Sequence, residues 1–393
     1  MFTFVNMNYS TILQPLMESY SSVKEKTIQG RYLHLEHIEP LLQKHSKNFR
    51  IKVIGRSVLN EPIHRVEMGK GKIKVLAWSQ MHGNESTTTK AVFDLLNAAS
   101  LLNTNSVLSA ILSRCTVRII PMLNPDGAKV YTRLNANQVD LNRDAQELKE
   151  PESRVLRNEF DAFKPDFCLN LHDQRTIFSA GRAARPATLS FLTPSMDRDR
   201  AVHPERKKSM QIITRIYEDL KLVLPGRIGR YDDGYNINCT GDTFQTAKVP
   251  TILFEAGHAP GDYEREKVRE YVYAAMVSAL YAIASGNFTE SNYSVYTDIP
   301  QNEKLFNDII LKYVLLNNQR MDVSIQYKEE LVGDNIELVP IIEKIAPEIT
   351  NFAHRIIDAK GAKIEFPDVP EVRENVIVNK IILNGEIIGL KCE

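Results

Sequence analysis

Between about residues 50 and 285, short apolar runs alternate with stretches of helical periodicity, and that alternation leaves few architectures open to the chain. The runs are KVLAWSQ (74–80), CTVRIIP (115–121), DFCLNLH (166–172) and PTILFEA (250–256). Each is short, apolar and bounded by turn-prone or polar residues, so each reads as a buried strand. Between them, STTTKAVFDLLNAASLL (86–102) offers Ser and Thr as helix caps, and PESRVLRNEFDAF (151–163) carries Pro in its first turn. YEREKVREYVYAAMVSALYAIAS (263–285) is the longest helical pattern. Strands alternating with helices predict an α/β fold, with a mixed, largely parallel central sheet flanked by helices. Sheets of this kind place ligands at the carboxyl ends of their strands.

Gly286-Asn287 closes the last long helical pattern, and the polar stretch NFTESNYSVYTDIPQNEK follows. A boundary near residue 290 is expected, giving a catalytic domain over 1–290 and a small C-terminal α+β region over 291–393. Within that region VNKIILNGEIIGLK reads as a hairpin around Asn384-Gly385. The tail shows no catalytic constellation. Lys+Arg and Asp+Glu both number 49, so bulk charge predicts no nucleic-acid partner and no acidic membrane surface. No stretch approaches the roughly 20 apolar residues of a membrane span. The first twenty residues contain no Lys or Arg, unlike an export signal. Cys115, Cys168, Cys239 and Cys392 are scattered, with no CxxC pair. These features together suggest a cytoplasmic protein in a reducing compartment. Oligomeric state cannot be read from the sequence.

Four chemically active side chains fall at or just after strand ends. His82 and Glu85 follow KVLAWSQ within MHGNE, His172 ends DFCLNLH, and Glu255 sits near the end of PTILFEA. A single histidine at a strand end is usually structural, and HGNE alone arises by chance. An acid inside an apolar strand, however, is costly unless paired or functional. Two imidazoles and one carboxylate make a zinc ligand set with an open position for water. The block LNPDGAKVYTRLNANQVDLNRD (123–144) adds Arg133, Asn142 and Arg143, and arginine's planar fork suits carboxylates and oxyanions.

Taken together, MHGNE, LNPDG, the run R-x-N-A-x-x-V-D-L-N-R (133–143), the PES turn (151–153), NLH (170–172) and LFEAG (253–257) resemble the M14 family of zinc metallocarboxypeptidases. The resemblance covers roughly residues 30–285. It implies one zinc ion per chain, held by His82, Glu85 and His172. Glu255 would act as general base and acid, and Arg133 would polarise the scissile carbonyl. Asn142 and Arg143 would hold the substrate's terminal carboxylate. Tyr235, with Tyr231 in reserve, would be the mobile tyrosine that caps the substrate. The sequence departs from the digestive members at Asn84, where they carry arginine, and at Asp173-Gln174, where they carry Ser-Tyr. Asp144-Ala145-Gln146 likewise replaces an Asn-Phe-Pro.

The implied activity is hydrolysis of a C-terminal peptide bond, with metal-bound water as nucleophile. Two alternatives stay open. One is a zinc deacylase of N-acyl amino acids, of the aspartoacylase and succinylglutamate desuccinylase type. The other is a catalytically silent binding module of the same fold. The substrate expected is a peptide or N-acyl amino acid with a free carboxylate. The segment NINCTGDTF near 235–245 does not reveal which side chain is preferred.

Overall fold

The computed structural model describes residues 9–101, 106–316, 318–369 and 371–391. The first eight residues and Cys392 lie outside them. The main sheet has eight strands in the order β1-β2-β4-β3-β5-β9-β7-β8. They are β1 (Arg50–Arg56), β2 (Pro62–Met68), β3 (Ile73–Ser79), β4 (Cys115–Ile120), β5 (Phe167–Asp173), β7 (Leu189–Leu192), β8 (Ile228–Arg230) and β9 (Thr251–Ala256). The centre is parallel, β4 to β3 to β5 to β9, while β1 pairs antiparallel with β2, β2 with β4 and β7 with β9. The short β6 (Phe178–Ala180) lies outside this sheet.

Alternate residues of the central strands feed two different cores. Val75 and Ala77 of β3 join the larger cluster, with residues of the helices Thr87–Ser100 and Glu266–Ser285. Leu76 and Trp78 face the opposite way, against Leu156, Phe160 and Phe163 of the helix Pro151–Phe163 and against Phe244. Burial on both faces explains why these strands read as unbroken apolar runs rather than alternating ones. The helix Glu266–Ser285 is tied to Thr87–Ser100 by a buried ion pair. Arg269 Nη2 and Nε meet the two Asp94 carboxylate oxygens at 2.6 and 2.7 Å, and both residues are fully buried. Among the described residues, no helix is long and apolar enough to cross a membrane.

Beyond residue 300 the structure corrects one expectation. The described residues there form strands and loops without a helix, where a mixture of helix and strand was anticipated. β11 (Phe306–Leu316), β12 (Gln319–Val332), β13 (Asn335–Ala346) and β14 (Phe352–Asp358) make one sheet, ordered β13-β12-β11-β14. β15 (Ile364–Glu365), β16 (Lys380–Leu383) and β17 (Glu386–Gly389) make another. β12 and β13 carry dense charges on long antiparallel strands that leave one face in water, so charge density in this region did not signal helix. The hairpin at Asn384-Gly385 is present, with φ of +53° and +84° at the two turn residues, as a two-residue type I′ connection requires. A separate apolar cluster, including Ile309, Val323, Ile342 and Ile381, holds these sheets together.

This C-terminal portion is also fastened to the main sheet's site-bearing edge. β10 (Asn302–Lys304) pairs antiparallel with β6. Arg31 forms an ion pair with Glu329 of β12 at 3.0 Å, and the Tyr131 hydroxyl donates to the same carboxylate at 2.6 Å.

Candidate active site

Parallel register brings the strand ends together. Ser79, the last residue of β3, lies beside Leu171, and His172 lies directly beside Glu255. The turn after β3 then carries His82 and Glu85 back over that edge. Gly83 is needed there, because a Cβ would come within 2.0 Å of the Gly127 backbone. Asn124 shapes the facing turn by accepting from Gly127 N at 2.8 Å. MHGNE and LNPDG are thus two turns packed backbone against backbone.

His82, Glu85 and His172 are buried, and their ligand atoms lie within 4.8 Å of one another. His82 Nδ1 is 2.8 Å from Glu85 Oε1, His172 Nδ1 is 2.9 Å from Glu85 Oε2, and the two Nδ1 atoms are 3.2 Å apart. Burial pulls the His82 pKa down, but the Glu85 carboxylate and the hydrogen bonds to Asp140 and Glu85 outweigh it and raise it. Burial pushes Glu85 up, yet the two imidazoles prevail and hold it well below the usual carboxylate range. His172 is lowered, chiefly by burial. Two converging imidazole nitrogens and a carboxylate, all sequestered from water, match the donor chemistry that zinc takes.

The sequence reading assigned no role to two flanking residues, Asp140 inside a quoted motif and Asp173 just after one. Asp140, within V-D-L-N-R, accepts from His82 Nε2 at 3.0 Å, which leaves Nδ1 as the free ligand nitrogen. It also pairs with Arg133 at 3.1 Å. Asp173, the residue after His172, accepts from Thr87 N at 2.9 Å and Thr88 N at 3.3 Å. It therefore caps the helix that starts just after Glu85, a task expected of the local Ser and Thr, while Ser86 Oγ donates instead to Arg31 O. A carboxylate adjoining a metal-ligand histidine, or three residues before Arg143, was the signal available.

One cavity of about 800 Å³ includes the triad, Glu255, Arg133, Asn142 and Arg143 in its lining. Glu255 has its pKa pushed well up by burial first, then by the Glu85 and Asp173 charges. Arg133 also reaches Glu85 Oε1 at 3.2 Å. Asn142 Oδ1 accepts from Thr240 N at 3.0 Å, and Arg143 Nη1 donates to the Asn142 carbonyl at 2.8 Å. Asp242, which the sequence reading did not single out, lines the same cavity, and burial pushes its pKa up to about 7. Of the two tyrosines considered, Tyr231 lines the cavity and Tyr235, four residues on, does not. The Tyr231 hydroxyl is pushed up by burial and by the charges of Glu255 and Glu85, and it is hydrogen-bonded to Asn302 of β10.

Fold and site together define an α/β protein of the zinc carboxypeptidase type, with a His–Glu–His cluster at the carboxyl ends of parallel strands. Residues 34–221 match the zinc carboxypeptidase family, the M14 peptidases. Carboxypeptidase 2 of Trichophyton equinum is 26% identical over 171 residues, which covers 42% of this chain and 30% of that protein. The chain thus spans under a third of that relative's length. Gamma-D-glutamyl-L-diamino acid endopeptidase 1 of Lysinibacillus sphaericus is 31% identical over 83 residues, 20% of this chain and 21% of that one. The structure of bovine thrombin-activatable fibrinolysis inhibitor, solved with a tick carboxypeptidase inhibitor, superposes with a TM-score of 0.52 at 13% identity. It covers 66% of this chain and 98% of its own, a likeness of fold.

Proposed function

We propose that the protein is a zinc-dependent carboxypeptidase that removes the C-terminal residue of a peptide. The observation that carries this reading is the grouping, in one cavity, of a buried His–Glu–His set with Glu255 and with Arg133, Asn142 and Arg143. His82, Glu85 and His172 would hold one zinc ion, which when bound polarises a carbonyl and makes water nucleophilic near neutral pH. Glu255 takes a proton from the attacking water and returns it to the leaving amine. Arg133 stands exposed beside Glu85 and stabilises the oxygen on which negative charge develops, a contribution of about 3 kcal/mol for a well-placed donor. Arg143 and Asn142 fix the terminal carboxylate and so set which bond meets Glu255. Tyr231, which lines the cavity, would cover the bound substrate.

The test is a hydrolysis screen of the zinc-loaded protein with free-carboxylate peptides, their amidated forms and N-acyl amino acids. Loss of a charge-assisted contact worth about 1.5–3 kcal/mol should slow the amidated peptides about 10–100-fold in kcat/KM. Arg143→Ala should erase that preference. Equal cleavage of both forms refutes the exopeptidase reading, and turnover confined to N-acyl amino acids identifies a deacylase instead.

A further inference from the structure

The cavity has two walls drawn from different parts of the chain. One is the segment leading into the helix Thr240–Thr246, tied to the Asn142–Arg143 turn by Thr240 N to Asn142 Oδ1 and by Ala145 N to Asn238 O at 3.3 Å. The other is the C-terminal sheet, which contributes Gln326, Lys328 and Glu329 of β12 and Glu343 of β13. Arg175 stands where the second wall begins. Its neighbour Thr176 accepts from Gln326 Nε2 at 2.9 Å through its hydroxyl and from His354 Nε2 at 3.0 Å through its carbonyl.

Among the described residues, each basic side chain lining the cavity faces a carboxylate or a pair of carbonyls except two arginines, while Glu255 and Asp242 on the acidic side have no ion pair. Arg31 pairs with Glu329, Arg133 with Glu85 and Asp140, and Lys328 with Glu330 at 2.8 Å. Arg265 is buried and donates to the carbonyls of Ala256 and Gln174. On the acidic side, Asp232 pairs with Arg200, and the Glu343 carboxylate accepts from the Asn307 amide. Arg143 donates only to a backbone carbonyl, and Arg175 has neither an ion pair nor a hydrogen bond among the described residues. Both arginines are exposed to solvent. A single terminal carboxylate satisfies one guanidinium and leaves the other open.

We propose that Arg175, at the edge of the C-terminal wall, binds a second carboxylate of the substrate, carried by a side chain on the amino-terminal side of the bond that is cut. This direction rests on the carboxypeptidase reading above, with the terminal carboxylate at Arg143. A peptide anchored at the first wall runs past the triad towards the second, where Arg175 offers a planar fork matched to a carboxylate. The C-terminal sheet thereby shares in substrate choice, because Gln326 and His354 hold the segment that carries Arg175.

The test uses two peptide pools with a randomised C-terminal residue, one with Glu and one with Gln at the two preceding positions. Cleavage is measured with the zinc-loaded protein, and binding by calorimetry with zinc-loaded Glu255→Gln. The Glu pool should be favoured about tenfold or more in both, and Arg175→Ala should bring the ratio within about twofold. Arg182→Ala is the charge control. That residue lies outside the cavity, is paired with Glu303 and is highly exposed, so the ratio should persist. Cleavage of both pools without a Glu preference, or a preference that survives Arg175→Ala, overturns the Arg175 site and leaves the carboxypeptidase reading intact. An Arg175-dependent binding preference without cleavage of either pool supports the site and refutes the carboxypeptidase reading. Neither binding nor cleavage of either pool overturns both.

Discussion

Removing the Asp140 carboxylate should loosen metal binding without touching a ligand. Asp140 accepts from His82 Nε2 at 3.0 Å and pairs with Arg133 through its other oxygen. In Asp140→Ala the Nε2 proton loses its acceptor inside a buried site, so the imidazole is no longer held in the tautomer that presents Nδ1. Loss of such an outer partner commonly lowers metal affinity about 10–100-fold, equivalent to about 1.4–2.7 kcal/mol. Asp140→Asn keeps a carbonyl that can accept from Nε2 but removes the charge, and should fall between the wild type and the alanine variant. The assay is competition for zinc against a chromogenic chelator at neutral pH, with circular dichroism to establish that each variant is folded. A folded Asp140→Ala protein whose zinc affinity stays within about twofold of wild type would refute the proposed support of His82.

Three further outcomes are expected. Glu255→Gln should retain zinc in the same competition assay yet lose about 10²–10⁴-fold in kcat, because the amide cannot carry the proton; near-normal turnover would mean another residue is the base. Tyr231→Phe should raise KM while Tyr235→Phe leaves it near wild type, since Tyr231 alone of the two lines the cavity; the reverse pattern in steady-state kinetics would restore Tyr235. Asp94→Asn takes the facing carboxylate charge from the fully buried Arg269 guanidinium, leaving it Glu266 at 3.2 Å, and should cost about 3 kcal/mol in urea denaturation; a loss below about 1 kcal/mol would show that the pair is replaceable.

The parts of the fold legible in the sequence are those where local pattern and tertiary environment agree. β3, β5 and β9 are buried on both faces, so their sequences are continuous apolar runs, and an observer needs no partner strand to find them. His82, Glu85 and His172 could be grouped because two of them share one turn and the third ends a strand. The tail was harder. β12 mixes Asp, Lys, Glu and Arg with apolar residues on a strand whose burial comes from distant neighbours. Arg31 and Glu329 meet across 298 residues, and nothing local announces such a contact. The choice between Tyr231 and Tyr235 depended on the path of an irregular segment, which has no period to read. Asp173 looked like a simple departure from the family pattern, and its role as a helix cap emerged only from the proximity of β5 to the helix Thr87–Ser100.

Asn302 has a practical bearing on how this molecule can be divided. Its amide nitrogen donates to Gln174 Oε1 and Ser190 Oγ, both at 2.9 Å, and the residue also holds Tyr231. A fragment cut at the polar stretch near residue 290 would lose all three contacts and leave β6 without a pairing strand. The shortest piece that keeps the cavity's tyrosine in place therefore extends through Lys304. An engineer grafting a different C-terminal sheet would need to splice after that strand, and would inherit a cavity open on the side where β12 now stands.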